Sequence, residues 1–112
     1  MKIAIIGTGN LGLSIANGIL SSNGATSMYL TKRTPGSLKE LESYGIVTVT
    51  KDNREAVQKS DILIFAVQPG QMEGILQEIK DLLTDKHVII STITGFSIDR
   101  IEKIIGKDQN II

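Results

Sequence analysis

The amino-acid sequence predicts an α/β domain built on a doubly wound parallel sheet, and three observations carry that expectation. Five short Ile- and Val-rich runs recur along the chain, amphipathic helical patterns separate them, and a glycine-rich hexapeptide stands at the first junction between the two. The runs are Lys2 to Ile6, Met28 to Thr31, Ile46 to Thr50, Ile62 to Val67 and Val88 to Thr92. Most are continuously apolar rather than alternating, as strands are when helices cover both faces of a parallel sheet. Parallel strands need right-handed crossovers, so alternating strand and helix gives a doubly wound sheet with ligands at the carboxyl ends of its strands.

The connecting segments read as helices in turn. After Gly9, an apolar stripe of Leu11, Ile15, Ile19 and Leu20 marks the first helix. Thr34 then offers a capping hydroxyl ahead of a first-turn Pro35, with Leu38 and Leu41 inside the helix and Gly45 placed to stop it. Asp52 or Asn53 can cap a short helix that runs through Gln58. Met72, Ile75, Leu76, Ile79, Leu82 and Leu83 are spaced by threes and fours and draw one stripe down a fourth helix. Ser97 can cap the last, which carries Ile98, Ile101, Ile104 and Ile105. Asn110, Ile111 and Ile112 read as the start of a further strand, so a longer chain is expected.

Bulk properties narrow the function. A chain of 112 residues fits one domain and has no room for a separate substrate domain. Twelve Lys and Arg balance twelve Asp and Glu, so no global field recruits nucleic acid or an anionic membrane, and any phosphate site is local. The absence of cysteine removes disulfides, thiolate metal sites and thiol nucleophiles, and a cytoplasmic location fits it. The apolar run at the N-terminus is too short for a signal-peptide core or a membrane span and reads as a strand.

The chemistry concentrates at the strand ends. Gly7, Thr8, Gly9, Asn10, Leu11 and Gly12 match G-x-G-x-x-G between a strand and a helix, the context that makes this a dinucleotide fingerprint of the Rossmann type. The first glycine permits the turn, the second admits a pyrophosphate, the third lets helix and strand pack, and free amides at the helix start bind the anion. An Asp or Glu that would bind the ribose hydroxyls of NAD is expected at the end of the second strand. Lys32, Arg33 and Thr34 stand there instead, a set suited to the 2'-phosphate of NADP(H), with NAD(H) as the lesser cofactor.

Two further loops open on the same edge. Ala66, Val67, Gln68, Pro69 and Gly70 leave the fourth strand, and Ser91 to Gly95 leave the fifth. The glycine fingerprint, the Ala-Val-x-Pro loop, the Ser-x-x-x-Gly turn and Asn53 together resemble the pyrroline-5-carboxylate reductase family, over essentially the whole chain. The resemblance implies reduction of the cyclic imine 1-pyrroline-5-carboxylate to proline by hydride from NADPH or NADH. It implies that Gly7, Gly9, Asn10, Leu11 and Gly12 hold the pyrophosphate, that Arg33, Thr34 and Asn53 face the adenine ribose and its phosphate, and that Val67, Gln68 and Thr94 face the nicotinamide half. It also implies a helical C-terminal domain that holds the small-molecule substrate and forms a homo-oligomer. The family loop reads Ala-Val-Lys-Pro, and Gln68 replaces its lysine here.

No residue of this chain has the look of a proton-transfer catalyst, because hydride transfer is the cofactor's chemistry and the protein supplies position. His87 precedes the fifth strand, at the end opposite the ligand edge, and reads as a surface or structural residue. Asp81, Asp85 and Lys86 read as a solvated helix end, and Met72 as core. Two other readings compete: a different dehydrogenase with the same domain, such as a prephenate or β-hydroxyacid dehydrogenase, and a non-catalytic nucleotide-sensing module.

Overall fold

A computed structural model describes all residues, 1–112, as a six-stranded parallel sheet with helices on both faces. The strands are β1 (Lys2–Ile6), β2 (Ser27–Thr31), β3 (Val47–Thr50), β4 (Ile62–Phe65), β5 (Val88–Ser91) and β6 (Asn110–Ile111). The α-helices are α1 (Asn10–Ser21), α2 (Asn53–Gln58), α3 (Pro69–Ile79) and α4 (Ile98–Ile105). The sheet order is β3-β2-β1-β4-β5-β6, with every pairing parallel. This is the doubly wound order in which strand addition reverses between β1 and β4, so the crevice for a ligand opens there.

The apolar residues of the central strands feed two cores, one on each face of the sheet, which is why those runs are nearly continuous. Ile3 and Ile5 face α1 and join Ala16, Met28, Leu30, Val47 and Val49. Ala4 and Ile6 point the other way and join Val57, Leu63, Phe65, Met72, Leu76, Ile79, Ile89 and Ile101 beneath α2, α3 and α4. Met72 is therefore core, as its stripe implies. No helix is long and apolar enough to cross a membrane.

Three local expectations are corrected. The segment behind Pro35 is a 3-10 helix over Gly36–Tyr44, not an α-helix, and Pro35 itself occupies the cap position with α-helical dihedrals. No side chain caps it, so Thr34 is exposed and free of that role. The tighter coil lays Glu42 against the edge strand, where Oε2 accepts from the Val49 N–H at 3.0 Å and covers a donor with no strand beside it. The stripe on α3 ends at Ile79, and Lys80–Leu82 continue as a 3-10 turn.

The third correction concerns charge. Asp81 is not merely solvated: Arg54 reaches from α2 with Nη1 to Oδ1 at 2.7 Å and Nη2 to Oδ2 at 2.9 Å, and Nη1 also donates to the Glu78 carbonyl at 2.7 Å. That paired hydrogen bond holds the Asp81 carboxyl below its usual range and raises the guanidinium. The helix caps follow the sequence: Asp52 accepts from the amides of Arg54 and Glu55, and Ser97 from that of Arg100. His87 is buried and structural rather than superficial. Its Nδ1 accepts from the Thr84 N–H at 2.9 Å, so the ring proton sits on Nε2 and donates to the Val57 carbonyl at 3.1 Å.

Candidate functional site

The turn from β1 into α1 is held by the end of β2. Thr31 is buried, its Oγ1 accepts from the Gly7 N–H at 3.0 Å, and its carbonyl accepts from the Thr8 N–H at 2.7 Å. Thr8 turns its own hydroxyl inward to the Ile5 carbonyl at 3.2 Å. The loop is thus fixed by hydrogen bonds on its buried side, and its open side is left to a ligand.

Each glycine of the fingerprint meets a different constraint. Gly7 has φ of +81°, and a Cβ there would overlap Val67 Cγ1 of the next loop, so only glycine fits. At Gly12 a Cβ would lie 3.2 Å from Ile5 Cγ2 and 3.3 Å from the Gly7 carbonyl oxygen, which is the close helix-to-strand contact the motif calls for. At Gly9 a Cβ would meet nothing within 4 Å, so the glycine there keeps space outside the protein's own packing open. Gly9 also starts α1 without any side-chain cap, and the amides of Asn10, Leu11 and Gly12 have no acceptor within the chain. Three free donors at the positive end of a helix are the kind of group that an anion satisfies.

A cleft of about 560 Å³ opens along the carboxyl ends of β1 to β4 and reaches the helix start at Gly9. Of the residues expected from sequence, it gathers Gly7, Thr8, Gly9, Lys32, Arg33, Asn53, Ala66, Val67 and Gln68. Asn10 lines a smaller adjoining hollow of about 260 Å³ with Lys32. Leu11 is exposed and Gly12 is packed, and both border the site only through the helix start. Thr34, Pro69 and Thr94 are not among the residues that line the cleft, although Arg33, Gln68 and Gly70 beside the first two are. Pro69 serves instead as the first residue of α3, and the Gln68 N–H is held by Gln71 Oε1 at 3.3 Å.

The structure adds residues that no motif marked. Lys51 follows β3 into the cleft, and Gln71, Gly74, Ile75 and Glu78 line it from α3. Asn53 Nδ2 donates to Glu78 Oε1 at 3.1 Å, which ties the start of α2 to α3. The chain's two ion pairs are Lys39 with Glu42 and Arg54 with Asp81, so Lys32, Arg33 and Lys51 face the cleft without a carboxylate partner. A protein of zero net charge thus sets three cations against one carboxylate, Glu78, along this cleft.

Comparison with known proteins agrees with this geometry. Residues 2–95 match the family model described as NADP oxidoreductase, coenzyme F420-dependent. The chain is 42% identical over 109 residues to pyrroline-5-carboxylate reductase 2 of Dictyostelium discoideum, covering 96% of this chain and 36% of that protein. It is 30% identical to pyrroline-5-carboxylate reductase of Aquifex aeolicus over 112 residues, 41% of that protein's length. The structure of a pyrroline-5-carboxylate reductase from Coxiella burnetii superposes with a TM-score of 0.89 at 31% identity, covering 98% of this chain and 42% of that one. The chain thus spans about two fifths or less of the length of these relatives. With the fingerprint, the sheet order and the cationic cleft in place, the match over most of its length means that the chain belongs to the NADP oxidoreductase, coenzyme F420-dependent, family.

Proposed function

We propose that this chain is the NADP(H)-binding part of an enzyme that reduces 1-pyrroline-5-carboxylate to proline. The observation that carries the nucleotide reading is the cradle itself: three unpaired amides at the start of α1, with open space at Gly9, beside three cations that lack partners. Such a set fits a dinucleotide with an extra phosphate on its ribose. The amides of Asn10 to Gly12 would hold the pyrophosphate, and Arg33 would take the 2'-phosphate with its planar fork. Val67 and Gln68 would border the nicotinamide half. NAD(H) would bind through the same amides but leave the cations unused.

The substrate class comes from the relatives, two of which are pyrroline-5-carboxylate reductases aligned over nearly all of this chain. NADPH held here would supply the hydride for the imine carbon, with a proton going to the ring nitrogen to give the saturated ring of proline. This chain's residues bind and orient the cofactor. A further domain, helical and shared across a homo-oligomer, would hold the substrate, and the cytoplasm suits a chain without cysteine. The test is cofactor absorbance with the complete protein and three substrates: 1-pyrroline-5-carboxylate, prephenate and a β-hydroxyacid. Oxidation of NADPH with the imine alone is expected. Turnover confined to prephenate or the hydroxyacid would move the protein to another dehydrogenase class, and tight binding without turnover on any would favour a sensor.

A further inference from the structure

We propose that Lys51, at the end of β3, is a determinant of cofactor choice, acting with Arg33 on the ribose phosphate. The inference rests on the NADP(H) reading above and extends it to a residue outside the motif segments. The usual reader of the ribose lies just past β2. Here the neighbouring strand brings a second charge to the same place.

The sheet register puts it there. β2 and β3 pair in parallel with Thr31 opposite Thr50, and the Lys32 N–H donates to the Thr50 carbonyl at 3.2 Å, one residue past the last pair. The ladder therefore fixes the backbone of both strand ends, and Lys32 and Lys51 are the next residues on each side. Lys51 and Arg33 line one cleft. The carboxylate next to Lys51 in sequence is occupied elsewhere, since Asp52 caps α2 by accepting from two amides. The carboxylate that does line the cleft, Glu78, accepts from Asn53. Lys51 forms no ion pair, although Asp and Glu are as numerous as Lys and Arg in the chain.

An ammonium on a flexible stem differs from a guanidinium in what it reads. Arg33 can offer two parallel donors and fix the phosphate's position, while Lys51 supplies a point charge that follows it. Its contact is exposed and screened, so its effect is smaller than that of Arg33 and depends on salt. Its effect is also confined to the cofactor that carries the phosphate.

The test is calorimetric titration of NADPH and NADH into this chain, as wild type, Lys51→Ala, Lys51→Glu, Lys51→Arg and Arg33→Ala, at two ionic strengths. Lys51→Ala should raise the Kd for NADPH about two- to fivefold at low salt and leave that for NADH unchanged. Lys51→Glu should raise it further, Lys51→Arg should restore it, and the salt dependence of NADPH binding should flatten in Lys51→Ala. If both Lys51→Ala and Lys51→Glu keep the wild-type ratio of the two constants while Arg33→Ala lowers it, the NADP(H) reading stands and the role of Lys51 is overturned. If wild type shows no preference for NADPH and Arg33→Ala changes nothing, the NADP(H) reading itself fails and the proposal with it.

Discussion

The same substitution at two glycines two residues apart should have opposite consequences. At Gly7, alanine must adopt φ of +81° and place its methyl inside Val67. The left-handed conformation alone costs about 1 to 2 kcal/mol, and relief of the overlap requires the loop after β4 to move, which adds about 1 to 3 kcal/mol. Gly7→Ala should therefore lose about 3 kcal/mol and lower Tm by roughly 10 °C or more. At Gly9, φ is −88°, a value open to any residue, and the new methyl meets nothing within 4 Å. The poorer cap costs about 0.5 to 1 kcal/mol, and the lost freedom of the unfolded chain returns about as much. Gly9→Ala should melt near the wild type yet bind NADPH at least about tenfold more weakly, because the methyl occupies the approach of the pyrophosphate, and Gly9→Val should not bind measurably. Urea unfolding and NADPH titration on all three variants decide it. Wild-type affinity in Gly9→Val would place the phosphates elsewhere, and equal destabilisation by the two alanines would refute the division of labour between these glycines.

Two further perturbations probe what holds the site. Thr31→Val keeps the shape of a buried strand residue but leaves the Gly7 amide without its acceptor, so a loss of about 1 to 3 kcal/mol in urea unfolding is expected, with weaker NADPH binding from a looser turn. Arg54→Ala should have a pH-dependent effect. The folded-state pKa of Asp81 lies below its unfolded value, so the stabilisation from the pair is present at neutral pH and fades as acid protonates the carboxyl. The gap in urea midpoint between wild type and Arg54→Ala should narrow on acidification, and a gap that widened would contradict the pairing.

Much of the fold was legible because it rests on local chemistry. The apolar runs identified the strands, the hexapeptide identified the turn between β1 and α1, and Asp52 and Ser97 identified helix starts by side chains that accept amide hydrogens. The 3-10 helix escaped because Leu38 and Leu41 are three apart, a spacing that fits three residues per turn as well as it fits an α-helix. The site was legible only in part for the same kind of reason. Gly7 to Gly12, Lys32, Arg33 and the loop after β4 are motif segments in their own right. Lys51 and Glu78 join them only through strand register and the packing of α3, and Thr31 acts through a hydrogen bond to a loop 24 residues earlier. Thr94, assigned by resemblance, follows β5, one strand beyond those that border the cleft.

The most direct test of the account is a titration of NADPH and of NADH into the chain at fixed ionic strength, with folding verified and Arg33→Ala beside the wild type. Saturable binding of both is predicted, NADPH the tighter, with Arg33→Ala weakening NADPH by roughly ten- to a hundredfold and leaving NADH unchanged. A folded chain that shows no saturable signal at millimolar cofactor, or that binds NADH more tightly than NADPH, would contradict it.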